Sequence, residues 1–218
     1  MLAPLLLTDP AAPRLTVYDE PRGTRMEFSA QTLDNWANKV ANMLVEEFET
    51  DEDTRVGIDV GASWQSAVIA LGAYNAGLSP LFDATGHTPT VIFTTPEAAG
   101  RFSEVPDCVV VSDDPFGRGV VEAGGQLPEG TVDFGPTVRF YGDQYYGPST
   151  DLARFALPDI EAARYLVPPW GTAAEFERRV LAPLAAGGSV VLVTGLYPAE
   201  RVEEIAAAEK VTRFLTEG

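Results

Sequence analysis

Cysteine and histidine are almost absent from this chain, which has one of each among its 218 residues, Cys108 and His87. No disulfide can form within the chain, and we expect a reducing compartment, the cytoplasm, as its location. No metal site is predicted, because no paired-ligand spacing occurs. Cys108 heads the apolar run Cys108–Val111, whereas His87 lies in a turn-rich segment. Core packing of the cysteine is therefore favoured over a catalytic Cys/His pair.

Positive charge and long apolar runs are also scarce. Fifteen basic against thirty-two acidic side chains give a net charge of −17 and a pI near 4.3. This charge repels phosphate backbones, so nucleic acid is not an expected partner, and we attribute the acidity to a solvated surface. The apolar opening Met1–Leu7 is broken by Pro4, is followed by Asp9 and has no basic residue before it. Neither a signal peptide nor a membrane span is predicted.

Helix and strand patterns alternate along the rest of the chain. With 45% hydrophobic residues, it can bury a sizeable core, and we predict a single domain over residues 1–218. Strands are predicted as a hairpin within Leu15–Phe28 and at Val56–Val60, Leu78–Phe82, Val91–Thr94, Val109–Val111, Tyr165–Val167, Ser189–Val193 and Val211–Leu215. Helices are predicted at Leu33–Phe48 with a Ser29 cap, Ser63–Ala76, Pro96–Phe102, Phe116–Ala123, Thr172–Ala186 and onward from Pro198.

This β-α-β order with short connections indicates an α/β fold, in which a predominantly parallel sheet is flanked by helices. The pattern degrades between residues 124 and 158, where glycine, proline and aromatic residues accumulate. We interpret that stretch as an irregular connector.

The stretch Leu181–Leu215 carries the most specific pattern. A helix ends at Gly187-Gly188, and an apolar strand, a helix and a second strand follow. This order resembles the large N-terminal domain of the adenylate-forming superfamily, which includes acyl-CoA synthetases, luciferases and peptide-synthetase adenylation domains. Arg55–Ile58 and Gly72–Leu81, reading GAYNAGLSPL, match earlier scaffold elements of that family. The resemblance covers most of the chain and implies the N-terminal subdomain fold of those enzymes.

The chemistry implied by this resemblance is activation of a carboxylate by ATP, which requires a phosphate loop with small residues and a lysine. The nearest small-residue cluster, Gly147–Thr150, has one glycine, a proline and no lysine. Pro168-Pro169-Trp170 stands where the family has a histidine-containing element, and the later motifs and the lid are expected to be missing. The two lysines, Lys39 and Lys210, are interpreted as solvated helix-end charges.

A few residues remain as candidate ligand contacts. Gly61 and Ser63, which follow the Val56 strand, present a helix N-terminus that suits an anion. Asp113 follows the Cys108 strand, where carboxylates of parallel sheets often face a ligand, although an ordinary turn is favoured there. No catalytic residue, cofactor or metal ligand is predicted.

The function predicted from these observations is a non-catalytic, acyl-CoA synthetase-like binding or interaction protein. Two alternatives stay open. In the first, the chain is one component of a split acyl-activating enzyme. In the second, it binds a small molecule or nucleotide near Asp59, Gly61 and Asp113. The aromatic residues Tyr141, Tyr145, Tyr146 and Trp170 raise the question of what covers the surface that a second subdomain buries in the full-length enzymes. A homo-oligomer is preferred over another protein partner.

Overall fold

The computed structural model describes residues 1–82 and 88–216. Its strands are β1 (Pro13–Asp19), β2 (Thr24–Ser29), β3 (Val56–Asp59), β4 (Val91–Thr94), β5 (Asp107–Val110), β6 (Val132–Asp133), β7 (Arg164–Val167), β8 (Ser189–Thr194) and β9 (Arg213–Phe214). Its α-helices are α1 (Ala3–Thr8), α2 (Ala30–Glu47), α3 (Trp64–Asn75), α4 (Phe134–Phe140), α5 (Ala173–Phe176), α6 (Ala182–Ala185) and α7 (Ala199–Ala208). Short 3₁₀-helices cover Ala99–Phe102 and Leu152–Phe155.

Five strands form the first sheet in the order β2-β1-β8-β7-β9, within a compact unit made of Met1–Asp34, Ala62–Trp64 and Asp151–Gly218. We call this unit 1. β8 lies between β1 and β7 and runs parallel to both, whereas β1 and β2 form the antiparallel hairpin expected from the sequence. Every residue of β8 except Thr194 is buried. An unbroken apolar run is typical of such a central parallel strand, since both of its faces are covered.

Helix termini in unit 1 follow the sequence signals closely. Thr172 and Glu175 form a capping box, with the Thr172 hydroxyl accepting the Glu175 amide at 3.2 Å. The helix continues from α5 through a π-helical turn, Glu177–Leu181, into α6. Where it ends, the Arg14 guanidinium donates to the carbonyls of Gly187 and Gly188 at 2.5 and 3.1 Å. These bonds give partners to two backbone carbonyls in the turn between α6 and β8.

The second sheet lies in unit 2, made of Asn35–Gly61 and Gln65–Thr150, and its four strands are all parallel in the order β3-β4-β5-β6. Two helical segments of this unit pack closely at Gly72. A Cβ atom placed on Gly72 would lie 2.3 Å from the Cβ of Val40, so only glycine permits this approach of α3 to α2. Gly72 belongs to the GAYNAGLSPL scaffold motif, which therefore encodes helix packing.

The predicted α/β class with predominantly parallel strands is confirmed, with the strands distributed over two sheets. The predicted helix over Phe116–Ala123 is wrong, because those residues form turns. The predicted strand Leu78–Phe82 is reduced to a single bridge between Leu81 and Gly57. Within the stretch 124–158, which was predicted to be irregular, the chain forms β6, α4 and the 3₁₀-helix Leu152–Phe155.

Candidate functional site

The carboxyl ends of β3, β4, β5 and β6 meet at one edge of the second sheet, because these strands are parallel. This carboxyl edge is the place where the sequence predicted ligand contacts. It carries Asp59 at the end of β3, Thr94 at the end of β4, the Ser112–Asp114 turn beyond β5, and Asp133 at the end of β6. What the edge can bind depends on which of these polar groups are already engaged.

Asp59 is held by its neighbours within unit 2. Its Oδ2 accepts a hydrogen bond from the Thr94 hydroxyl at 2.8 Å and pairs with the Arg101 guanidinium at 2.6 Å. The carboxylate therefore connects β3, β4 and the Ala99–Phe102 turn of 3₁₀-helix. A ligand at this point would have to replace a hydrogen bond and an ion pair that the protein supplies itself.

Asp114 organises the turn that follows β5. It accepts the amides of Phe116 and Arg118 at 2.9 and 3.1 Å, and its Oδ2 receives two bonds from the Arg118 guanidinium at 3.0 and 2.7 Å. Burial opposes ionisation of Asp114, but the hydrogen bonds from Arg118 and the backbone outweigh it and lower the pKa of the carboxyl. The buried Gln65 amide donates to the Asp114 carbonyl at 3.0 Å, which ties the turn to α3.

Asp133 explains why Phe116–Ala123 is not helical. Its carboxylate accepts the amides of Val120 and Val121 at 3.0 and 3.4 Å, and Glu122 accepts the Gly119 amide at 2.7 Å. A helix would need different partners for these amides, and side-chain acceptors compete with that pattern. Gly119 also has no room for a side chain, since an added Cβ would lie 2.5 Å from the Asp133 carboxylate.

The three candidate ligand residues are divided between the two units. Gly61 is exposed in unit 2, and an added Cβ there would meet no atom within 4 Å. Ser63 is half-buried and belongs to the Ala62–Trp64 segment of unit 1. Asp113 is exposed in the turn beyond β5, and β5 lies two strands away from β3, which carries Asp59. Their role in ligand binding remains a prediction.

The cluster that most nearly resembles a phosphate loop is folded against the end of α3. The Ser149 hydroxyl donates to the Asn75 side-chain oxygen at 2.8 Å, and the Thr150 amide donates to the Tyr74 carbonyl at 3.2 Å. Pro148 has no amide hydrogen. In a phosphate loop such donors point toward the ligand. In this chain the Ser149 hydroxyl and the Thr150 amide are instead bonded to the end of α3.

The residues that precede this cluster are attached to α2 through their backbone. Asn38 donates to the Asp143 carbonyl at 3.0 Å, and Lys39 donates to the Tyr141 carbonyl at 2.6 Å. The Asn42 amide bonds the carbonyls of Gly142 and Gln144. The interpretation of Lys39 as a solvated helix-end charge is wrong, because the residue is half-buried within α2. Lys210 is exposed just beyond α7.

Histidine, cysteine and the aromatic residues contribute little to a site. Cys108 is buried in β5, and burial raises the pKa of its thiol, while His87 lies outside the described residues. Within residues 1–82 and 88–216, no group of three or more His, Cys, Asp or Glu residues is placed to hold a metal ion. Trp170 is buried with its ring edge-on to Phe176, and its indole N–H has no hydrogen-bond partner. Tyr146 is 88% exposed.

An ionic cluster around the buried Glu209 in unit 1 was not predicted. Glu209, just beyond α7, accepts hydrogen bonds from the Tyr18 hydroxyl at 2.6 Å, Arg25 Nε at 2.7 Å and Arg164 Nη2 at 2.5 Å. Burial opposes its ionisation, but these bonds outweigh burial and lower the pKa of Glu209 to about 2. We call these four residues the Glu209 cluster. It attaches the end of α7 to β1, β2 and β7, and no spacing in the sequence connects its members.

These two sheets of predominantly parallel strands, flanked by helices, define an α/β fold like that of acyl-CoA synthetase subdomains. The chain is similar to an acyl-CoA synthetase from Brucella canis, with a TM-score of 0.74 and 17% identity over 95% of this chain and 45% of that enzyme. It is also similar to an anthranilate CoA ligase solved with anthranoyl-AMP, with a TM-score of 0.70 and 15% identity over 98% of this chain and 48% of the ligase. The chain therefore spans about half the length of these solved enzymes, and the likeness shows the fold.

Sequence similarity identifies the family within this class. A TIGR03089 family protein of Mycobacterium tuberculosis is 35% identical over 240 residues, which cover 99% of this chain and 96% of the relative. The chain belongs to the TIGR03089 family. No model of a protein family matches it. No helix in the described part of the chain combines the length and apolar character that crossing a bilayer requires.

Proposed function

We propose that this protein is a non-catalytic binding or interaction protein that uses an acyl-CoA synthetase-like scaffold in a reducing compartment, the cytoplasm. The observation that carries the proposal is the attachment of Gly147–Thr150 to α3. The Ser149 hydroxyl and the Thr150 amide are bonded to Asn75 and Tyr74, and no lysine accompanies them. A triphosphate needs several convergent amide donors and a nearby positive charge, so this segment is poorly suited to hold one.

The carboxyl edge of the second sheet supports the same proposal. The carboxylates of Asp59, Asp114 and Asp133 each accept hydrogen bonds from within unit 2. A small molecule would have to break these bonds before making its own, which reduces the net free energy of binding. We therefore favour recognition of a macromolecule on the protein surface over a small-molecule site at this edge.

A nucleotide assay tests the proposal directly. We expect ATP–pyrophosphate exchange to stay at background with a broad panel of carboxylic acids, while an active acyl-CoA synthetase assayed in parallel gives exchange. Calorimetric titration with ATP and magnesium should give no binding heat. Ser149→Ala is the matched variant, because a phosphate-binding role for this hydroxyl predicts weaker nucleotide binding in the variant. Acid-dependent exchange above background, reduced in Ser149→Ala, would refute the proposal.

One observation favours a second candidate, a component of a split acyl-activating enzyme. The chain matches only 45% and 48% of the two solved enzymes while 95% and 98% of its own length is covered. A polypeptide that carries the phosphate loop and the lid would complete such an enzyme. Affinity purification of the tagged protein from its native source tests this. Recovery of a polypeptide with these motifs, and exchange activity of the mixture that neither chain shows alone, would establish the split enzyme.

A further inference from the structure

We infer that residues 141–150 open from α2 and α3 as one unit while the second sheet stays folded. We call this segment the strap. Side chains of α2 hold its first half, and α3 holds its end. The inference goes beyond the proposed function, because it concerns a motion built into unit 2 and not the presence or absence of catalysis.

Three side chains of α2 donate hydrogen bonds to four consecutive carbonyl groups of the strap, those of Tyr141, Gly142, Asp143 and Gln144. Lys39 reaches the first carbonyl at 2.6 Å, and Asn38 reaches the third at 3.0 Å. Asn42 reaches the second and the fourth at 2.8 and 2.9 Å. Residues three and four positions apart share a helix side, so these donors act from one side of α2. They bind the backbone of the strap and leave its side chains free to face solvent.

The strap has little else to hold it in place. Between residues 142 and 149, the described structure contains no hydrogen bond between two backbone groups, and every residue of that stretch except Tyr145 is exposed. One side chain reaches back to α2, where the Tyr141 hydroxyl donates to the exposed Glu47 carboxylate. Bonds broken at such a surface are replaced by bonds to water. A segment with few buried apolar contacts therefore opens at a lower free energy than the core.

A chain of hydrogen bonds couples the middle of the strap to its end. The Ser149 hydroxyl donates to Asn75 Oδ1 at 2.8 Å. Asn75 Nδ2 donates to Asn38 Oδ1 at 2.7 Å, and Asn38 Nδ2 donates to the Asp143 carbonyl at 3.0 Å. Asn38 and Asn75 are buried. Hydrogen bonds linked in this way polarise and strengthen one another. Release of the carbonyl at one end of the chain therefore weakens the hold on the hydroxyl at the other.

Contacts within the strap also favour opening as one unit. The Tyr145 side chain folds over Gly147, where an added Cβ would collide with its ring. The Tyr146 hydroxyl donates to the side chain of Gln144. These contacts join residues of the strap to one another, so they can persist when the strap leaves the helices.

Opening changes which hydrogen-bond donors the protein presents. In the closed form, the Ser149 hydroxyl and the Thr150 amide are bonded to Asn75 and Tyr74 of α3. Release of the strap frees both donors, together with the three donors of α2, for water or for a ligand. The strap therefore determines when these donors are available.

Native-state hydrogen exchange of the intact protein, followed by NMR at urea concentrations up to about 1 M, tests this inference. The Thr150 amide reports on the strap, and the amides of β4 report on the second sheet. We expect exchange of the Thr150 amide to be independent of urea, because a local opening exposes little surface, whereas exchange in β4 should accelerate. Asn42→Ala removes two bonds to the strap and should speed exchange at Thr150 at least about tenfold, without a comparable change in β4.

Val45→Ala is the matched control, because Val45 is exposed on the same helix and makes no hydrogen bond to the strap with its side chain. It should leave exchange at Thr150 within about twofold of the unmodified protein. Asn42→Asp repeats the test with a side chain of the same shape that cannot donate. Circular dichroism verifies that the variants are folded.

Exchange at Thr150 that accelerates with urea in parallel with β4 would overturn the inference, since the strap would then open only when the core unfolds. So would unchanged exchange at Thr150 in both Asn42 variants, or an equal acceleration in Val45→Ala. ATP–pyrophosphate exchange is measured separately from these rates. Activity in that assay would refute the non-catalytic proposal without altering the result for the strap.

Discussion

Replacing Glu209 with glutamine tests the ion pairs of the Glu209 cluster. Glutamine preserves the shape, but its amide nitrogen faces either Arg164 or the pair of Tyr18 and Arg25, so a buried donor loses its acceptor. The pKa of Glu209 falls from 4.5 to about 2 on folding. At about 1.4 kcal/mol for each unit, this corresponds to about 3 kcal/mol of stabilisation at neutral pH.

The stabilisation that Glu209 provides should depend on pH. Because folding lowers the pKa of Glu209, its stabilisation is complete above the unfolded value of 4.5 and is lost as the pH falls towards about 2. Glu209→Gln should therefore cost about 3 kcal/mol of unfolding free energy at pH 7 and about half of that at pH 3. Urea denaturation followed by circular dichroism measures both values, at pH values away from the pI near 4.3.

Glu204→Gln on the same helix is the matched control. The Glu204 side chain is 68% exposed and pairs with Arg201 three residues away. Such exposed pairs contribute little, so the control should change the unfolding free energy by less than about 0.5 kcal/mol. Equal effects of the two substitutions, or a deficit of Glu209→Gln that does not shrink at pH 3, would refute the role assigned to the Glu209 cluster.

Three further predictions follow from packing in unit 2. Gly72→Ala should lower the unfolding free energy by about 2–3 kcal/mol, because the added Cβ collides with Val40. Gly61→Ala places its Cβ in open space and should change the unfolding free energy by less than about 0.5 kcal/mol in the same urea titration. Asp133→Ala should lower the unfolding free energy by about 2 kcal/mol, since the amides of Val120 and Val121 lose their acceptor. Hydrogen exchange should become faster at these two amides first, and unchanged protection of both would contradict the prediction. The Cys108 thiol, buried and with a raised pKa, should react with a thiol reagent at least about a hundredfold more slowly in the native protein than in guanidinium chloride, and comparable rates would exclude the buried placement.

Local signals in the sequence predicted most of the elements that local interactions determine. The Ser29 cap is confirmed by the Thr32 amide bonded to its hydroxyl at 3.2 Å, and the Thr172 cap is confirmed as a capping box. The apolar run Ser189–Val193 is confirmed as a strand, β8. These features depend on residues a few positions apart, so periodicity and capping chemistry are sufficient to find them.

Interactions between distant residues account for what the sequence did not predict. The turns at Phe116–Ala123 follow from Asp133, and the Glu209 cluster joins residues separated by up to 191 positions. The pairing of β1 with β8 likewise links residues 15–19 to residues 190–194. It places the first two strands of the chain in one sheet with β7, β8 and β9. Helix propensity contained no information about an acceptor supplied from a later strand.

The hydrogen bonds already made at the carboxyl edge also explain why the proposed function concerns surfaces. Binding at Asp59 requires that a ligand replace the bonds from Thr94 and Arg101, so its gain is only the difference between two sets of polar contacts. Covering the exposed Phe140 side chain removes apolar surface from water and breaks no hydrogen bond of that side chain. A chain that satisfies its own edge carboxylates thus gains more from covering exposed apolar side chains than from holding a small polar ligand at this edge.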